Sequence, residues 1–232
     1  AGVKGYGENL HKCKKVWERR MGKLENSEIY PFICDGLDQI PVVEIRKGAY
    51  VARAVNDDDT IYYVLKGSVR VVKETMTGKR IFVDSCEAEN FTGHISNLAD
   101  YDLNCDIVAE TDLILLKLER KIMHGLMENP EFACFFYRKT SDHLYTMVKR
   151  FLLKTLFTQK QLVSYYTLDN EYQDYFVYKS MYRNCENLRI SRAGFYNMLN
   201  QLMKEGVLEK DAGVRGYRIL DREKLEQHIV KT

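Results

Sequence analysis

Between Pro41 and about Leu118 the apolar positions come in short β-branched and aromatic runs cut by turn residues: Val42 to Arg46, Gly48 to Val55, Ile61 to Leu65, Ser68 to Lys73, Arg80 to Val83, Cys105 to Ala109 and Leu113 to Leu118. Strands at such regular spacing predict an all-β roll or barrel. Asn56-Asp57-Asp58-Asp59 reads as an acidic turn, and Thr77-Gly78-Lys79 as a hairpin turn. Ahead of the roll, Gly7 to Ser27 is charged and poor in helix breakers; Leu10, Val16, Trp17, Met21 and Leu24 give it one irregular apolar face, the pattern of a surface helix. After Glu119 the period lengthens. From Leu126 to about Phe157 the residues Leu144, Met147, Val148, Phe151, Leu152, Thr155 and Leu156 recur at helical spacing. An apolar seam on one long helix needs a partner, and a second copy of the same helix is the natural one. Leu144, Met147, Val148, Phe151, Leu152 and Thr155 are therefore the expected homodimer interface.

Met181, Cys185, Leu188, Ile190, Phe195, Met198, Leu199 and Leu202 carry the spacing by which two short helices share one core. Ser191 is placed to cap the second helix, with Arg192 at its solvent end, where a recognition helix presents side chains to the major groove. Val207 to Lys210 and Tyr217 to Leu220 flank Gly213-Val214-Arg215-Gly216, a β-hairpin wing, and Asp221 caps a last helix through Ile229. Gln159 to Thr167 starts this second domain near a hinge at Thr158, and Asp169 to Asp174 reads as an acidic, Tyr-rich connector. The predicted fold class is α+β: an N-terminal helix and jelly-roll-like β-roll over 1–125, a long dimerisation helix over 126–158, and a winged helix-turn-helix over 159–232.

Composition narrows the function. A net charge of +2 on 232 residues excludes wholesale nucleic-acid coating, so DNA binding has to come from local charge. Between Lys179 and Arg218 eight Lys/Arg face four acids, enough to steer phosphate. Cys13, Cys34, Cys86, Cys105, Cys134 and Cys185 are scattered singly, without a C-x-x-C pair or finger-spaced His, which signals neither a zinc site nor an iron–sulfur cluster. No apolar run approaches the ~20 residues that span a bilayer, and the basic segment Lys12 to Lys23 lacks the following apolar stretch of a secretion signal. No membrane partner and a cytoplasmic location are expected.

This order of parts resembles the Crp/Fnr family of transcription factors over roughly Val42 to Ile229. The strongest local match is Ile61-Tyr62-Tyr63-Val64-Leu65-Lys66-Gly67-Ser68-Val69, followed in order by Phe91-x-Gly93, Val108-Ala109-Glu110-Thr111 and Asn129-Pro130. The resemblance implies a ligand cassette in the roll. In cyclic-AMP-binding members a Gly-Glu pair holds the ribose and an Arg-Ser pair neutralises the phosphate; here Gly93-His94 and Leu103-Asn104 stand at those places. A buried phosphate without its guanidinium keeps its desolvation cost and loses a charge-assisted pair. The positions where family hydroxyls meet adenine fall on Met147 and Val148, so cyclic AMP is not the expected effector and no cofactor is predicted. Phe91, Gly93, His94, Ile95, Leu103, Asn104, Met147 and Val148 are the candidate pocket for an unidentified small molecule. His94 reads as a partly exposed turn residue before a haem or effector ligand, and Cys86 and Cys105 as buried bystanders before a thiol switch on neighbouring strands.

For DNA, the resemblance gives Arg192 a bidentate contact to guanine and places Ala193 and Asn197 at the next base-reading positions. Tyr196 and Arg189 would lie along the groove edge, with Lys204 and Arg215 on phosphates. The implied partners are double-stranded DNA with a palindromic operator, a second copy of the chain, and RNA polymerase. The inter-helix turn of such motifs usually carries Gly, because its backbone prefers positive φ; Arg189 stands there, and Asn184 replaces an apolar residue. Two other classes stay open: a dimeric ligand-sensing module that no longer reads DNA, and a cupin-type metal enzyme. The latter needs two His and a carboxylate on adjacent strands, whereas His11, His94, His124, His143 and His228 are spread singly. No nucleophile, base and orienter assemble from the sequence, so the chain is not expected to be an enzyme.

Overall fold

The computed structural model describes residues 22–54, 60–95, 104–178 and 180–230. Most of the predicted N-terminal helix, the turn at Asn56 to Asp59, and Leu103 lie outside them; residues 22–25 are helical. The chain divides into two compact units, Ala1–His143 and Leu144–Thr232.

In the first unit a short helix α1 (Tyr30–Ile33) and a 3-10 turn (Cys34–Gln39) precede eight strands: β1 (Val42–Ile45), β2 (Tyr50–Ala52), β3 (Thr60–Lys66), β4 (Ser68–Glu74), β5 (Arg80–Glu87), β6 (Phe91–Thr92), β7 (Asp106–Ala109) and β8 (Leu113–Glu119). They pair antiparallel into two sheets, ordered β1-β8-β3-β6 and β2-β7-β4-β5. Of these elements α1, the 3-10 turn and β6 were not foreseen, being too short to carry a period. Strand β3 is buried at every position but Lys66 because both faces of its sheet are covered. Tyr62 and Val64 pack between the sheets with Val69, Cys86, Ile107 and Leu115, while Ile61, Tyr63 and Leu65 pack on the other side against helices. A continuous apolar run, rather than alternation, is what such a strand requires.

Those helices are α1, α2 (Arg120–Met127) and the first part of α3 (Pro130–Leu156). The long helix expected from Leu126 starts instead at Pro130, and Leu126 and Met127 close α2. Asn129 Oδ1 accepts the Glu131 N–H at 2.9 Å and Pro130 opens the first turn, so the chain breaks and restarts there. Phe132, Phe135 and Phe136 of α3 are buried; their rings meet Phe91 at 4.8–6.3 Å between centroids, and Phe91 meets Tyr63 at 4.9 Å. The boundary between the units falls within α3. Beyond it Leu144, Tyr145, Val148, Phe151, Leu152 and Leu156 are exposed, Phe151 to 66%.

The second unit opens on α4 (Gln159–Asp169), whose Thr158 and Gln161 form a reciprocal capping box. The segment expected to be a connector is instead a hairpin, β9 (Glu171–Tyr172) and β10 (Tyr175–Val177). Gln173 and Asp174 form its two-residue turn at φ +50° and +62°, the left-handed pair that joins strands with the right twist. Then come α5 (Met181–Leu188), α6 (Arg192–Lys204), β11 (Leu208–Asp211), β12 (Gly216–Ile219) and α7 (Arg222–Val230). The wing is thereby a four-stranded sheet ordered β11-β12-β10-β9. Gly216 lets β12 approach β10, since a Cβ there would lie 2.4 Å from the Phe176 carbonyl oxygen. Glu205, just past α6, ties three helices together: it accepts from Lys160 Nζ at 2.6 and 2.8 Å, lies 2.8 Å from His228 Nε2, and its carbonyl accepts from Lys224 Nζ. The bond from Lys160 is the main cause that holds its carboxyl below the usual range.

Gly67, in the β3–β4 turn, has φ +92°, and a Cβ on it would lie 2.5 Å from both Asp112 O and Thr111 Oγ1. Thr111 is held in place there, its Oγ1 accepting the Ser68 N–H at 2.9 Å. Gly67→Ala is expected to cost more than about 1 kcal/mol, read as a lowered urea midpoint with unchanged slope; an unchanged midpoint would contradict the packing described.

Candidate functional site

Helix α5 ends in a Schellman motif. Arg189, at φ +50° and ψ +40°, donates its N–H to Glu186 O, and Ile190 donates to Cys185 O, both at 3.0 Å. Cys185 and Ile190 are buried in the same cluster, the apolar contact that accompanies such caps. The turn has thus kept the left-handed backbone that glycine usually supplies, with Arg189 in its place. Asn184, the other misfit, is buried and half satisfied: its Oδ1 accepts the Tyr166 hydroxyl at 3.0 Å, while its Nδ2 is buried without a hydrogen-bond partner among the described residues.

Ser191 follows as N-cap of α6, its Oγ accepting the Gly194 N–H at 3.0 Å. Phe195, Leu199 and Leu202 turn inward and are fully buried. Arg192, Ala193, Tyr196 and Asn197 are exposed on the outer side. Arg189, Ser191, Arg192 and Ala193 therefore gather at the start of α6, with Tyr196 and Asn197 one turn along. Lys204 sits at the other end of the helix, ~18 Å away at 1.5 Å per residue. Arg215 is exposed at the tip of the β11–β12 hairpin, its guanidinium 5.9 Å from the ring centre of Tyr178, which stacks on Tyr217 at 6.4 Å. Burial raises the Tyr178 hydroxyl above its ordinary range, and Tyr196 raises it further. Across the turn, the Arg192 guanidinium lies 5.1 Å from the ring centre of Tyr182 on α5.

Phe91 belongs to the aromatic core, Gly93 takes φ +83°, and Ile95 and Asn104 are exposed. Met147 and Val148 lie on the part of α3 that belongs to the second unit. His94 is partly exposed, as expected, but it also packs against α3. Its ring packs edge-on against Phe136 at 6.2 Å and His143 at 6.0 Å, and burial, then His143, pushes its imidazole down to about 4. His143 Nε2 in turn shares a hydrogen bond with Asp84 Oδ2. The sequence reading missed Asp84 and His143. The register Val71↔Asp84 and Val71↔Ile107 turns Asp84 inward, a position visible only once β5 is followed past Val83. Cys86 and Cys105 are not on neighbouring strands, since β4 separates β5 from β7; burial pushes the Cys86 thiol up to about 12, far from a reactive thiolate. Among the described residues no group of three His, Cys, Asp or Glu is arranged to hold a metal, and no helix is long and apolar enough to cross a membrane.

Residues 42–129 match the cyclic nucleotide-binding domain family. No curated protein matches the chain in sequence. Solved structures do match in fold. A CooA mutant from Carboxydothermus hydrogenoformans is 18% identical, with 88% of this chain and 93% of that chain covered and a TM-score of 0.67. The c-di-GMP responsive global regulator CLP of Xanthomonas campestris is 14% identical over 82% of this chain and 99% of that one, at 0.64. A CRP/FNR-family transcriptional regulator from Thermus thermophilus is 16% identical over 82% and 98%, at 0.58. The chain has the fold of CRP/FNR regulators.

Two outcomes follow from the site. A non-glycine residue in the left-handed region costs about 1–2 kcal/mol, against about 0.5–1 kcal/mol for glycine's extra chain entropy. Arg189→Gly is therefore expected to stabilise the protein by about 0.5–1 kcal/mol, read by thermal unfolding; a lower Tm would show that Arg189 is not strained. His94 titrates near 6.5 when unfolded and about 4 when folded. Its neutral form is the one the fold favours, so the stability it contributes is complete above pH 6.5 and is lost as pH falls toward 4. Urea midpoints should drop more steeply over that window in the wild type than in His94→Asn, and parallel curves would refute the burial assigned to it.

Proposed function

We propose that the protein is a homodimeric, sequence-specific DNA-binding transcriptional regulator of the Crp/Fnr type, working in the cytoplasm, with a small-molecule effector other than cyclic AMP. The observation that carries this reading is the outer side of α6: a capped, exposed helix start bearing Arg192, Ala193, Tyr196 and Asn197, beside a hairpin that carries Arg215. A helix N-terminus also favours anions, so the same end attracts the phosphate backbone. In this reading Arg192 donates its two-pronged guanidinium to guanine O6 and N7, and Asn197 and Ala193 read the next bases. Arg215 and Lys204 hold phosphates, which fix register without reading sequence, while Tyr196 and Arg189 lie along the groove edge.

The exposed apolar stripe Leu144, Val148, Phe151 and Leu152 on α3, with Met147 and Thr155 beside it, supports pairing with a second copy. Two copies would present two α6 starts to half-sites one helical turn, ~34 Å, apart. An effector that favours one packing of the paired helices would shift the population of DNA-competent dimers.

Selection of bound duplexes from a random library, followed by gel shifts over a salt series, tests the reading. The expected product is a palindromic sequence whose affinity falls steeply with salt. Arg192→Ala should weaken binding to it by about 5- to 150-fold per half-site, the value of one bidentate base contact. Binding by Arg192→Ala that equals the wild type on every sequence would defeat the proposal.

A further inference from the structure

We propose that Tyr182, on the helix preceding the recognition helix, is a specificity-determining positioning residue: its ring is the platform that holds the Arg192 guanidinium in its base-reading geometry. The inference rests on the DNA reading proposed for α6 and adds to it the residue through which α5 takes part.

Arg192 stands at the first turn of a helix whose opening is fixed on the chain side by the Ser191 cap, but its own side chain is exposed and has several rotatable bonds. An exposed arginine loses rotamer entropy each time it is ordered, and a contact that confines it beforehand lowers that cost. The contact on hand is Tyr182. Its ring centre lies 5.1 Å from the guanidinium carbon, inside the ~6 Å range of a cation–π interaction. A guanidinium held over an aromatic ring interacts through its face, and its N–H edge is what a bidentate contact to guanine uses. Tyr182 is itself well placed to act as a fixed surface. It is the second residue of α5, directly after the start that Ser180 caps through the Arg183 N–H at 3.3 Å. Its neighbour Met181 is buried in the core of the unit, and the Schellman turn at Arg189 sets the angle at which α5 and α6 face each other. Ring and guanidinium thus come from two helices whose relative placement is fixed by one core. Tyr182 remains 43% exposed, so the pair lies at the surface that α6 offers, not beneath it.

The pairing has a counterpart that sharpens the assignment. Arg215 in the hairpin lies over Tyr178 in a similar way, but Arg215 is a phosphate contact in this reading. Loss of the Tyr178 platform would weaken binding to all sequences alike, whereas loss of the Tyr182 platform acts at one base pair.

The test measures base preference with the full-length protein. The base pair read by Arg192 is first identified as the one whose preference disappears in Arg192→Ala during selection from a random duplex library. Discrimination at that base pair is then measured for Tyr182→Phe, which keeps the ring, and Tyr182→Leu, which keeps apolar bulk without a π face; circular dichroism and Tm verify that both fold. Tyr182→Phe should match the wild type, and Tyr182→Leu should lose discrimination at that one position by about two- to fivefold, the size of an exposed cation–π contact. Unchanged discrimination in Tyr182→Leu overturns the inference while leaving the DNA reading intact. Tighter binding with unchanged selectivity overturns it as well, because the ring would then be withholding Arg192. A wild type that enriches no sequence overturns both.

Discussion

The turn between α5 and α6 is the constraint on which the second unit depends. Four residues settle it. Arg189 takes the left-handed conformation, Ile190 closes the six-to-one bond to Cys185, Leu188 and Ile190 enter the core, and Ser191 caps the next helix. A cap contributes about 0.5–2 kcal/mol, so the left-handed backbone at a non-glycine residue is offset within the same four residues. What the arrangement secures is direction. With the angle fixed, Phe195, Leu199 and Leu202 face the core, and the exposed side of α6 follows of necessity from the helical period.

Helix α3 shows a second constraint, of the opposite kind. Its first part is consumed by the aromatic core around Phe91, and its later part bears Leu144, Val148, Phe151 and Leu152 facing solvent. A contiguous apolar stripe left in water is costly at about 25 cal/mol per Å², and such patches mark surfaces made for contact. The proposed dimer uses that stripe, and the proposed regulation acts through it.

Much of this was legible beforehand, for identifiable reasons. The strands of the roll announce themselves because β3 and β8 are buried on both faces and read as apolar runs, broken in β8 only by Lys117, and because Gly67 and Gly78 punctuate them with positive φ. Ser191 was legible as a cap because the chemistry that needs it is local. The losses share a cause: they depend on partners distant in sequence. The hairpin at Gln173-Asp174 lacks the glycine that usually signals a left-handed turn, and it is held by β12, more than forty residues on. Asp84 reads as a strand-end acid until the register turns it toward His143, and Cys86 and Cys105 look adjacent until β4 is found between their strands. The candidate pocket was the least legible part, since Phe91 and His94 both belong to packing with α3, a helix some forty residues away.

Central to the proposed function is that two copies would present the starts of their α6 helices to one duplex. Native mass spectrometry of the full chain bound to its selected duplex, combined with hydroxyl-radical footprinting of that complex, measures it directly. The predicted result is two chains per duplex and two symmetry-related protected patches whose centres lie one helical turn, about 10 base pairs, apart. One chain per duplex, or a single patch without symmetry, would contradict it.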